Sequence, residues 1–157
     1  MSATRRDVLF LLSGLVSSAV ALEALPSQGL PNQGLPKQDN SLPSATYPFS
    51  ELPVNNANGA EIRPVLKGKL ATAESLEVHE TTLPPGAMPH PAHHHLHSEM
   101  WLIREGTVQL TINGTSHVMG PGSVGFVHSN DEHGIKNVGP APATYFVVAV
   151  GPGADAQ

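Results

Sequence analysis

Five of the nine histidines in this 157-residue chain fall within eight positions, in the stretch "HPAHHHLHSEMW" from His90 to Trp101. Imidazole nitrogen and carboxylate oxygen are good ligands for borderline divalent metals. In extended backbone side chains repeat every two residues, so His93, His95, His97 and Glu99 share one face while His90 and His94 take the other. Several such groups converging in a low-dielectric interior are costly unless a cation compensates them, so the spacing predicts a metal site. One local segment rarely supplies every ligand. The best distant candidate is His133 in "SNDEHGIKN", followed by His128 and then His117 in a hairpin's return strand. The absence of cysteine excludes thiolate ligands and disulfides alike.

Short strands are the elements that must position these groups. The chain is 39% hydrophobic and only 13% charged, with 15 Gly and 15 Pro, a composition suited to many strands joined by tight turns. "SLEVHETTL" (75–83) alternates Leu76 and Val78 against Glu77 and His79 and is stopped by Pro84-Pro85-Gly86. "TVQLTINGTSHVM" reads as a hairpin around Asn113-Gly114, the strongest two-residue turn signal. "SVGFVH" and "ATYFVVAVG" add two more strands. No segment after residue 50 sustains a helical period, and roughly eight or nine short strands in one domain predict an all-β sandwich or barrel. In "EMWLI", Trp101 and Ile103 follow Glu99 inward while Met100 and Leu102 face the other way. A strand apolar on both faces asks for an outer cover, either a second subunit or the chain's own N-terminal segment.

The N-terminal part reads differently. "TRRDVLF" precedes an uncharged apolar run ending in Ala19-Val20-Ala21, the form of an export signal over 1–21 whose Arg5-Arg6 resembles the twin-arginine signature. The run is short for a membrane span. Residues 22–50, with the repeat "LPSQG LPNQG LPKQD", are expected to be a disordered Pro/Gln/Gly-rich linker. The folded domain is placed at 51–151 and a flexible tail at 152–157. A formal net charge of -5, with no basic stripe, argues against nucleic acid as a partner. The expected location is periplasmic or extracellular.

"GAMPHPAHHHLHSEMWLIREG" resembles the first motif of the cupin superfamily, with Gly86, His93, His95, Glu99 and Gly106 at its characteristic places. Pro121-Gly122, the apolar run 124–127, His133 and Asn137 resemble the second. His128 and Asn130 depart from it, standing where Pro and Gly are usual. The resemblance is to a small single-domain cupin of the type-2 kind, and it implies a jelly-roll β-barrel or sandwich. It also implies a single divalent transition metal (Fe, Mn, Ni, Cu or Zn) held by His93, His95, Glu99 and His133. His97, Trp101, His128 and Asn137 are then expected in the second shell or pocket, and the resemblance favours a homodimer.

The pocket walls are expected to draw on Trp101, Met88, Phe126, Phe146 and Tyr145. With little Arg or Lys nearby, a small neutral organic ligand is expected rather than a phosphorylated one. Among functions, a mononuclear metal-dependent oxygenase or an isomerase or lyase stands beside a non-catalytic module that holds a metal or small ligand. No catalytic residue is assigned, because no clear general base stands apart from the ligands.

Overall fold

The computed structural model describes residues 41–156, so the expected export signal and the linker up to residue 40 lie outside the described residues. Nine strands account for about half of the described residues, in the order β1 (Asn55–Ala57), β2 (Ala60–Lys69), β3 (Ser75–Leu83), β4 (Ser98–Glu105), β5 (Val108–Ile112), β6 (Thr115–Met119), β7 (Val124–Val127), β8 (His133–Asn137) and β9 (Ala143–Val150). They form two antiparallel sheets, one of six strands in the order β1-β2-β3-β9-β4-β7 and one of three in the order β6-β5-β8. The all-β expectation is met, and of the sandwich or barrel expected the described residues show two antiparallel sheets. A shared core joins the sheets: Leu83, Trp101, Ile103, Val127, Tyr145 and Val147 from the larger meet Val108, Leu110, Met119 and Ile135 from the smaller.

Local chemistry sets the connections. Asn113 and Gly114 both have positive φ (46° and 78°), the backbone that a two-residue turn of type I′ needs, and they join β5 to β6 in register from Ile112↔Thr115. Gly106, between β4 and β5, has φ 78°, and a Cβ there would lie 2.6 Å from Ala143 Cα. Only glycine suits both the conformation and the close approach.

Three placements differ from the sequence reading. Segment 41–50, expected as linker, is held to β2: Leu42 N–H donates to Lys69 O at 2.7 Å and the Leu42 side chain packs where Gly68 leaves room. Its Phe49 ring lies against the guanidinium groups of Arg63 and Arg104, at 4.9 and 5.6 Å. The tail, expected to be flexible, forms a short 3-10 turn at Ala154–Ala156, with Ala154 fully buried and Asp155 paired to Lys69 at 3.3 Å. In β3 the buried face carries Ser75, Glu77, Thr81 and Leu83, so the polar parity turns inward while Leu76 and Val78 lie on the outer face. The outer face is itself half-covered, which is why hydrophobic alternation does not mark the interior there.

Candidate metal centre

The histidine segment is not a strand. Residues 84–97 run through turns and bends, and β4 begins only at Ser98. Alternation therefore does not bring the ligands together; a single antiparallel bridge does. His93 N–H donates to His133 O at 3.0 Å and His133 N–H donates to His93 O at 2.8 Å, which fixes the loop to the start of β8. Glu99 enters from β4, its carboxylate 3.1 Å from His95 Nε2 (Oε1), 3.3 Å from His97 Nε2 (Oε1) and 3.5 Å from His133 Nε2 (Oε2).

The tautomers follow from backbone carbonyls. His95 Nδ1 donates to His97 O and His133 Nδ1 donates to Asp131 O, both at 2.9 Å. A ring that donates from Nδ1 keeps its lone pair at Nε2 when neutral. Those two Nε2 atoms, together with His93 Nδ1, are buried and have no hydrogen-bond partner. The contacts of His95 and His133 with Glu99 are close but lack hydrogen-bond alignment. Buried polar atoms without partners are costly, and here one comes from each of three histidines around one carboxylate. Ligand atoms of His93, His95 and His133, and of His95, His97 and Glu99, lie within 4.8 Å of one another. This His/His/His/Glu cluster could hold a metal ion, and the unpartnered nitrogens are what such an ion would satisfy.

The electrostatics are those of an acceptor site. Burial opposes ionisation of Glu99, but the facing His133 ring, with the His95 and His97 rings beside it, outweighs that cost and holds the carboxyl at about 2. Burial, reinforced by His90, His133 and His95, lowers His93 to about 4, so its ring is neutral near pH 7. His97 is also lowered, mainly by burial. His133 moves the other way: burial works against its protonation, but Glu99 and the Asp131 carbonyl outweigh it and raise the group.

The remaining residues sort by exposure. His97, read as second shell or rim, is 3% exposed and stacks on His95 with centroids 3.5 Å apart and planes 16° apart. Trp101 is buried and meets the His133 ring edge at 5.3 Å. Asn137 is fully buried, but its amide donates to Leu83 O and Ala141 O and its oxygen accepts from Gly139 N–H. It ties strand ends together and does not line the cavity. His128 is exposed, its ring nitrogen on its neighbour's carbonyl, so the structure does not bring it to the cluster. His94 and His117 are exposed too.

A cavity of about 200 Å³ opens onto the cluster, lined by His93, Glu99 and His133 with apolar walls from Ile62, Trp101, Ile135, Tyr145 and Val147. Of the expected walls, Trp101 and Tyr145 are there. Met88 and Phe126 are exposed instead, at 42% and 55%. Phe126 pairs with Met100 and Phe146 with Leu102, on the parity facing away from the core. Sequence reasoning passed over His79, Thr81, Ile62, Ile135 and Val147 as lining residues, and His90, placed on the face away from the ligands, lines the cavity as well. No sequence signal marked His79, whose parity is that of the polar Glu77 and Thr81, buried here against the apolar alternation.

Two antiparallel sheets around one core, with imidazoles and a carboxylate at the mouth of a small cavity, define a small β-sandwich protein with a candidate metal site. Residues 79–149 match the family model Cupin_2, the cupin domain, and this match and the fold support the cupin superfamily for the chain. An RmlC-like cupin from Shewanella frigidimarina is similar at 19% identity and TM-score 0.59, over 73% of this chain and 97% of that one. A predicted oxalate decarboxylase from Thermotoga maritima is similar at 20% identity and TM-score 0.58, over 68% and 99%. A polyketide cyclase from Streptomyces resistomycificus follows at 16% and 0.55, over 68% and 79%. No curated protein matches the chain.

Proposed function

We propose that this protein is an exported cupin that binds one divalent transition metal through His93, His95, Glu99 and His133 and acts on a small neutral organic molecule as an oxygenase, isomerase or lyase. The observation that carries the reading is the set of three buried imidazole nitrogens without partners, one each from His93, His95 and His133, around an ionised carboxylate. When bound, the metal supplies a Lewis-acid or dioxygen-binding centre with coordination positions left for a ligand. The chain's own residues bind and shield that ligand. Trp101, Ile135, Tyr145 and Val147 exclude water from one side of the cavity, and Tyr145, whose hydroxyl burial raises well above the ordinary phenol range, stays neutral and offers a hydroxyl.

Among the described residues no Lys or Arg lines the cavity, which supports a neutral ligand over a phosphorylated one. The volume falls below the about 300–1,000 Å³ of pockets that take drug-sized ligands, so a molecule of single-ring size fits best. The Arg5-Arg6 motif and the apolar run after it support export, and the exposed apolar strip on β4 and β7 supports a homodimer.

The test is elemental analysis of protein purified from its exported location, followed by dioxygen uptake and product analysis with a panel of small phenols and hydroxy acids. Iron, manganese, nickel or copper with turnover supports the catalytic reading. Stoichiometric metal without turnover leaves a binding module, and no metal together with unchanged melting of His95→Ala overturns the site.

A further inference from the structure

His79 stands on the inner face of β3, and its ring lines the same cavity as His93, Glu99 and His133. Two residues earlier on the same face, Glu77 is 8% exposed, and its two carboxylate oxygens lie 2.9 and 3.0 Å from His79 Nδ1. A carboxylate accepts, so Nδ1 carries the proton and Nε2 the lone pair. Among the described residues Nε2 has no hydrogen-bond partner. The arrangement has the form of an imidazole base held in one tautomer by an acid. It comes from a different strand than any member of the metal cluster.

We infer that His79, oriented by Glu77, is the proton acceptor for a phenolic or enolic hydroxyl bound in this cavity. In the step the ligand's O–H bond breaks and its electron pair stays on oxygen, while an N–H bond forms at His79 Nε2. The resulting imidazolium is balanced by the Glu77 carboxylate, and neither oxidant nor reductant is needed. The Trp101, Tyr145, Ile62 and Ile135 walls suit an aromatic or enolic ring more than a sugar. Glu77 is a positioning residue, and Lys67 stands directly across from it in the β2–β3 register. The inference rests on the proposed function only in taking this cavity as the ligand chamber.

The experiment uses 4-nitrocatechol, whose visible spectrum reports its ionisation, titrated into zinc-loaded and into metal-free full-length protein, with calorimetry in two buffers of different ionisation heat. Wild-type protein is expected to bind the ionised probe while passing almost no proton to the buffer. His79→Gln is expected to bind about 10-fold more weakly or worse. It should also either leave the probe protonated or release about one proton to the buffer. Zinc content is expected to be unchanged, since His79 is outside the ligand cluster. Glu77→Gln, which keeps the ring but loses its orienting charge, is expected to fall between the two. Unchanged affinity, spectrum and proton count in His79→Gln overturn the proposal, and a wild-type protein that takes up no probe in either form overturns the ligand class. A wild type that binds no zinc overturns the metal reading instead, and the metal-free titration then still decides the role of His79.

Discussion

Among the clustered histidines the backbone decides which can serve as ligands. His95 and His133 each give Nδ1 to a carbonyl and hold Nε2 toward Glu99, whereas His94 is exposed. A graded series should follow. Glu99→Gln removes the central carboxylate and is expected to lower zinc affinity by more than the about 10–100-fold typical of losing a supporting partner. His97→Ala removes a ring that stacks on His95 and meets Glu99, and it should fall within that range. His94→Ala should leave affinity unchanged, and competition against a chelator ranks all three. The pH dependence has a definite sign. His133 is raised above its ordinary value, so on acidification it takes up a proton before His93 does, and a metal must displace that proton. His93, lowered to about 4, sets no such cost near neutrality. Zinc affinity is therefore expected to fall as pH drops through the region above 6.5, by up to about tenfold per pH unit. A flat profile down to about pH 6 would contradict the assignment of His133.

Strands were the most legible elements and the connections between them the least. The β3 and β9 segments, and the β5–β6 hairpin around Asn113-Gly114, stand where alternation and turn chemistry put them. Both sheet faces of β3 are partly covered, so its polar residues point inward, and the Glu77–His79 pair on that face was not legible as part of the cavity. The site's ligand types could be read from spacing, but the reason they converge could not: 84–97 is irregular, and its anchor is the His93–His133 bridge, a long-range pairing. Asn137 shows the same limit. Its place after His133 suggested a pocket residue, yet its three hydrogen bonds join the end of β8 to Leu83, Gly139 and Ala141. Asn137→Ala orphans those groups in a fully buried spot, and a loss of about 2–4 kcal/mol in unfolding free energy is expected from urea titration. The zinc stoichiometry of the folded fraction should stay the same. If stability holds while zinc is lost, Asn137 belongs to the site after all.

At the scale of the whole molecule, the outer face of the six-stranded sheet carries both covered and exposed apolar side chains. Both covers the sequence allowed have a claim on it. The N-terminal segment takes one end, where Phe49 lies against Arg63 and Arg104 and Arg104 also reaches the buried Glu80 at 3.1 Å. It leaves the other end bare: Leu102, Val124 and Phe126 are 39%, 58% and 55% exposed, adjacent across the β4–β7 pairing, and β7 is an edge strand. Neighbouring large apolar side chains on a sheet edge are costly to leave in water and invite a second copy. Sedimentation velocity at micromolar concentration should therefore show a dimer. Phe126→Glu should shift it to monomer, because a carboxylate buried at such a contact loses its hydration without gaining a partner. Since Phe126 points away from the cavity, zinc binding by the monomeric variant should match the wild type. A wild type that sediments as a monomer would mean that the exposed strip serves something other than self-association.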